Sequence, residues 1–367
     1  MTNKNYFWFT VAVSFCSLIL AHIYAANQIV TENQWYLYLN ALDTARNGNF
    51  QLVGEIIPGI GPTVGSIGNV LTAFPLLFSD SPWFPMEFII ILRYLSFIFF
   101  SIGLRKFFSN KTLCCFNVIY LLSPWFLFET TLSQSSYVIF FVSIIFLSIC
   151  SLKYFNTEKE KNFLNLSKNS FINQNIRTNN TSNNDIDNCN IKTLKRNVYS
   201  FLLVFALGLS LQLSYLSICL IIMVILLAIR RVIHINLYGA ILGIIAVAST
   251  MGNFVNSLFV SDDISLMFSE IEQEVDIYSF ENILTTIYRG VFGWLRLGST
   301  AYSHHMVKYF DASIISQYPV NNIIYYLVIG IWYILGAVTL LINLGATVLA
   351  IKYTDEKFFS LKPIKEK

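Results

Sequence analysis

Charge is what this chain has least of. Of its 367 residues only 12% are Asp, Glu, Lys or Arg, against roughly 25% in an ordinary soluble domain. The charges also cluster, leaving long stretches with almost none. A helix in water needs a polar face, and these stretches cannot supply one. A water-soluble core is thereby excluded. Period-2 alternation is lacking as well, which excludes a transmembrane barrel. There is no Gly-rich nucleotide loop and no basic nucleic-acid patch, so neither a nucleotide-sugar donor nor a nucleic-acid partner is expected. Cysteine is scarce where it could crosslink. Cys16, Cys114, Cys115, Cys150 and Cys219 lie in apolar runs and Cys189 in a polar loop. None falls in a segment read as outside, so no disulfide framework is expected.

What the chain has instead is apolar length: 55% of its residues are hydrophobic. About 20 such residues cross the hydrocarbon slab, and there only a helix satisfies its own backbone. The chain reads as an all-α integral membrane protein with about eight transmembrane helices. Spans are expected over 6–26, 88–107, 112–128, 136–152, 235–253 and 323–351, with two more in the run 199–229. That run is too long for one crossing and divides near 213–217. The last span has length to tilt, or to kink at Gly330 or Gly336. The run 67–78 is too short to cross and reads as an interfacial helix. Lys4 before the first run suggests a signal peptide, but 6–26 is long for one and reads as a retained helix.

Lysine and arginine set the orientation. With the N-terminus inside, 19 of the 24 cations fall in inner segments. The outer segments hold only Arg46, Arg289, Arg296 and Lys308, and Arg93 lies within the second span. Both ends are therefore placed in the cytoplasm. The chain divides into a first helix (1–26), an outer loop (27–87) and helices two to four (88–153). An Asn-rich cytoplasmic loop (154–197) follows, its middle expected to be disordered. Helices five to seven (198–254), a second outer loop (255–322), helix eight (323–351) and a cytoplasmic tail (352–367) complete it. The outer loops carry Trp, Tyr, Gly, Pro and acids, the composition of working surface.

Four stretches bear a likeness. They are Asn40-Ala41-Leu42-Asp43 through Arg46-Asn47-Gly48 and Leu52-Val53-Gly54; Gly61-Pro62-Thr63 through Ala73-Phe74-Pro75; Leu122-Ser123-Pro124-Trp125 through Gln134-Ser135; and Leu207-Gly208 through Gln212-Leu213. In order and spacing they resemble the GT-C class of membrane glycosyltransferases, akin to bacterial protein O-mannosyltransferases and aminoarabinose transferases. The likeness covers roughly residues 5–250. It implies a GT-C-like fold with interfacial helices in the first outer loop, in the bacterial inner membrane, with a periplasmic active face. It further implies a polyprenyl-phosphate-linked sugar donor, an envelope glycan or lipid acceptor, and contact with membrane lipids. The departures are specific. The family's Asp-Glu pair falls at Asn33 and Gln34, with Glu32 just upstream. The family's His after the glutamine is Ser214 or Tyr215 here, and the chain ends before the final spans of larger members.

The implied reaction sets out which residues to weigh. A phosphate leaving group needs no general acid, whereas the attacking acceptor must lose a proton, so one carboxylate is the minimum. Glu32 and Asp43 are the candidates. Each also reads as a plain loop or helix acid, as do Glu55, Asp80 and Glu129. Donor phosphate needs positive charge on a side that has little, which singles out Arg46, Arg93, Arg289 and Arg296. Arg93 is expected to snorkel outward. Neighbouring His304 and His305 make no metal site by themselves. The acids Asp262, Asp263, Glu270, Glu272, Glu274 and Asp276 could hold a divalent cation or form a solvated face. Two other readings stay open. One is a catalytically degenerate relative that binds lipid or a partner. The other is a transporter or glycan polymerase, disfavoured by the lack of paired charges in the spans and of repeated halves.

Overall fold

The computed structural model describes residues 3–27, 32–50, 56–57, 61–62, 65–122, 132–172, 183–214 and 217–252, with single positions at 334, 338, 341 and 345. Among these residues the architecture is helical, apart from one two-residue ladder. The helices are α1 (Asn3–Asn27), α2 (Glu32–Asn47), α3 (Ile67–Leu76), α4 (Trp83–Arg105) and α5 (Asn110–Leu121), then α6 (Gln134–Ile172), α7 (Asn183–Leu213), α8 (Ile218–Ile229) and α9 (Leu237–Thr250). Strands β1 (Ile56–Ile57) and β2 (Gly61–Pro62) pair antiparallel, Ile56 with Pro62 and Ile57 with Gly61.

Four helices are long and apolar enough to cross a membrane: Asn5–Ile23 of α1, all of α4, Ser136–Phe155 of α6 and Thr193–Leu213 of α7. Their surfaces suit that medium. Phe7, Phe15, Ile23, Ile91 and Ile102 are exposed, as are Ile222, Leu226 and Ile229 on α8. So much contiguous apolar surface is not left bare by soluble monomers. The expected break in the run 199–229 falls between Leu213 and Ile218, where α7 stops and α8 starts. The second outer loop, the tail and all but four positions of the last expected span lie outside the described residues.

The centre of the bundle is α4, α6 and α7. Met86, Ile89 and Leu92 of α4 meet Tyr137, Phe141 and Ile145 of α6 and Leu203, Ala206 and Leu209 of α7 in one buried cluster. Helix α9 joins by close backbone approach. A Cβ added at Gly239 would stand 2.3 Å from the Asn197 carbonyl oxygen, and one at Gly243 would stand 3.0 Å from the Phe201 carbonyl oxygen. Small residues permit this contact where lipid offers no hydrophobic drive between helices. Helices α1 and α5 lie together on the other flank, where Ser17 Oγ donates to the Leu121 carbonyl at 2.9 Å.

Helix α6 runs on to Ile172 and α7 begins at Asn183, so helix enters the stretch 165–190 expected to be disordered from both sides; its centre, 173–182, lies outside the described residues. A helix already nucleated in a span lengthens without a new nucleation cost. One expectation is corrected outright: Arg93 does not snorkel. It is 2% exposed, because it sits on the face of α4 that also buries Ile89, Ile90 and Phe97. Neighbouring helices close the path its side chain would need to reach the interface.

Candidate functional site

The helices alternate in direction, so the bundle has two distinct ends. At one end lie Arg105 and Lys106 after α4, Lys111, Lys153, Arg196, and Arg230 with Arg231 after α8. Contacts between elements hold it together: Lys106 Nζ lies 5.3 Å from the centre of the Tyr199 ring, and Asn236 N donates to Ser200 Oγ at 2.8 Å. The opposite end holds α2, α3 and the candidate residues.

Helix α2 buries Gln34, Leu37, Tyr38, Ala41 and Thr44, a helical stripe packed on α3. Its other side exposes Trp35, Tyr36 and Leu39, aromatic and apolar groups suited to a membrane–water interface. Gly48 closes the helix in the left-handed region, with φ 70°, and its N–H donates to the Thr44 carbonyl at 3.1 Å. This is the glycine stop that the Arg46-Asn47-Gly48 stretch suggests.

Glu32 is the first residue of α2. Asp43 follows eleven residues later, about three turns and roughly 16 Å along the helix axis. Asp43 accepts from Asn47 Nδ2 at 2.5 Å and from Asn49 Nδ2 at 3.0 Å. These amides hold its carboxyl below the usual range, which makes it a weaker base. Gln34 is only 7% exposed.

Arg46 is already engaged. Its Nε donates to Asp80 Oδ1 at 2.7 Å and its Nη2 pairs with the same oxygen. Tyr38 donates its hydroxyl to the Asp80 backbone carbonyl, so the turn before α4 is tied to α2 twice. A phosphate at Arg46 would have to compete with Asp80. Arg93 is enclosed by protein, with the Tyr120 hydroxyl close enough to feel its charge. Arg289 and Arg296 lie outside the described residues, as do Glu55, Glu129, His304, His305 and the acids of 262–276. Among the described residues no three His, Cys, Asp or Glu side chains converge on a point.

The structure also joins residues that the sequence did not pair. Gly65 has φ 91°, and a Cβ there would stand 2.6 Å from Gln212 Oε1. Gln212, 1% exposed, donates from Nε2 to Thr250 Oγ1 at 2.9 Å. The segment leading into α3, the end of α7 and the end of α9 thus meet at one glutamine. Below them the Thr72 and Tyr137 hydroxyls share a buried hydrogen bond of 2.9 Å. A polar residue in an apolar span was the available signal for Gln212; nothing local marked Gly65 as its neighbour.

Residues 145–319 are similar to the Spiroplasma phage ORF1-like family. No curated protein and no solved structure matches the chain. The similar stretch begins within α6 and takes in Gln212, Thr250, Arg289 and Arg296. Glu32, Asp43, Arg46 and Arg93 precede it, as do three of the four stretches that carry the glycosyltransferase likeness.

Proposed function

We propose that this chain is a GT-C-like membrane glycosyltransferase that moves a sugar from a polyprenyl-phosphate donor to an envelope glycan or lipid acceptor. In this reading it crosses a bacterial inner membrane about eight times, with both ends cytoplasmic and the acting face periplasmic. The gathering of described cations at the end away from α2 supports that orientation. One observation carries the reading. Two of the resembling stretches, far apart in sequence, touch where Gly65 packs on Gln212, at the end that α2 and its acids share. Glu32 takes the base role in preference to Asp43, whose carboxylate is occupied by two amides. The acceptor oxygen attacks the anomeric carbon and gives its proton to Glu32. The bond from that carbon to the phosphate oxygen breaks, and its electron pair leaves with the phosphate.

Buried Gln34 favours a second reading. An amide facing the packed side of α2 can accept a hydrogen bond but cannot take up a proton. A relative that retains the lipid site without transfer would look like this. The experiment is transfer of radiolabelled sugar from polyprenyl phosphate in membranes carrying the protein. Wild type should transfer, Glu32→Gln should lose about 10²–10⁴-fold, and Asp43→Asn should stay within a few-fold. Equal transfer by Glu32→Gln would remove Glu32 from the reaction. Donor binding without transfer by wild type would establish the second reading, and failure of both would end the first and the second alike.

A further inference from the structure

At the cationic end, α1 and α5 part to leave a cleft of about 300 Å³. We propose that this cleft binds an anionic phospholipid of the surrounding leaflet, with the phosphate at Arg105. Tyr6 and Phe7 of α1 form one wall and Asn110, Leu113 and Asn117 of α5 the other, with Arg105 at the end of α4 above them. Ser101 Oγ donates to Asn117 Oδ1 at 2.9 Å, which leaves the amide nitrogen as the donor for a ligand. Lys106 is committed elsewhere, to Ser151 and over the Tyr199 ring. Neither ion pair among the described residues involves Arg105. Residues 88–128 contain no Asp or Glu at all, so no nearby carboxylate in this stretch competes for that guanidinium. Arginine offers a phosphate diester two parallel donors.

A second cleft, of about 100 Å³, shares Leu113 with the first and is walled by Leu104, Phe108 and Phe116. It presents hydrocarbon almost alone. A largely apolar cleft that carries one arginine and two asparagines, beside an oily one, fits a ligand with a charged head and an acyl chain; inorganic phosphate has no use for the second. The surface charge of any inner face attracts anionic lipid diffusely. A cavity whose arginine has no ion-pair partner among the described residues makes the attraction local. The site is at the opposite end from the proposed transfer chemistry and does not depend on it.

The test uses the full chain in neutral detergent, measuring the thermal unfolding midpoint with added phosphatidylglycerol, phosphatidylcholine or inorganic phosphate. Phosphatidylglycerol should raise the midpoint saturably by several degrees, and phosphatidylcholine and phosphate should not. Arg105→Gln should weaken the phosphatidylglycerol response about tenfold, whereas Arg230→Gln, a cation at the same end but outside the cleft, should leave it intact. Asn110→Asp places a carboxylate in the cleft at a helix start, where it does not harm α5, and should abolish the response in a folded protein. Equal responses to both lipids, equal losses in the two arginine variants, or a phosphate response matching the lipid's would each overturn the assignment.

Discussion

The two ends of this bundle are built from different materials. At the cationic end the side chains reach outward: Arg105, Arg230 and Arg231 have no carboxylate partner among the described residues, and the helices close by backbone approach at Gly239 and Gly243. At the other end polar groups face one another. His22 pairs with Glu87 at 2.7 Å, Arg46 with Asp80, Thr72 with Tyr137 and Gln212 with Thr250. One end is arranged to meet a charged surface, the other to hold short helices and turns in fixed positions. Fixed positioning is what a reaction site requires, and the contrast can be broken from either side.

The largest effect belongs to the cationic end. Gly239→Ala drives a methyl toward the Asn197 carbonyl oxygen, which is backbone and cannot swing away. Overpacking of this kind costs about 1–3 kcal/mol, and the upper part of that range is expected here. Detergent-unfolding midpoints would measure it; an unchanged midpoint would mean that α7 and α9 are not in contact as described. Gly65→Ala comes next, at about 1–3 kcal/mol, from a left-handed backbone together with a clash on Gln212. The double variant Gly65→Ala with Gln212→Ala separates the two causes. It should recover the part due to the clash and keep the part due to φ. Complete recovery would show that backbone strain contributes nothing.

Tyr137→Phe tests the polar end more gently. Thr72 keeps its bond to the Gly68 carbonyl at 2.8 Å, so one buried hydrogen bond is lost, about 1 kcal/mol. Asp80→Asn should cost less, since the pair with Arg46 is half-exposed and exposed pairs contribute about 0.2–1 kcal/mol. Its cost should shrink further in high salt. A salt-independent loss would point instead to the Tyr38 bond at the Asp80 backbone.

These pairings show how far the sequence alone could go. Hydropathy located the four long helices, because a span needs only length and the absence of charge. It also placed the break at 213–217 from length alone. The Arg46-Asn47-Gly48 stretch entered only through the family likeness, and its physical role is the helix stop, since a left-handed residue after a helix favours glycine. Arg93 was misread: apolar run and buried face are both apolar in sequence, and only the packing of α4 tells which side an arginine occupies. Residues 154–172 differ for a related reason, since composition judges a segment as though it started alone, while α6 enters it already wound. The meeting of Gly65, Gln212 and Thr250 lies beyond any local pattern. It depends on α7 and α9 running parallel, a fact of topology.

The smallest effect concerns Asp43 and is read through pH. Hydrogen bonds from Asn47 and Asn49 lower its folded pKa, so the folded state holds fewer protons than the unfolded one while both titrate. Stability from this group is therefore present above the unfolded value, near pH 4, and is lost as pH falls through the lower folded value. The stability difference between wild type and Asp43→Asn should be flat above about pH 5 and narrow progressively below about pH 4. At neutral pH the carboxylate is fully ionised, already accepting two amides, and poorly matched to a proton it should take only during reaction. A difference that instead changed between pH 5 and pH 8 would require a raised pKa at Asp43. That result would return this acid to the base role and displace Glu32 from it.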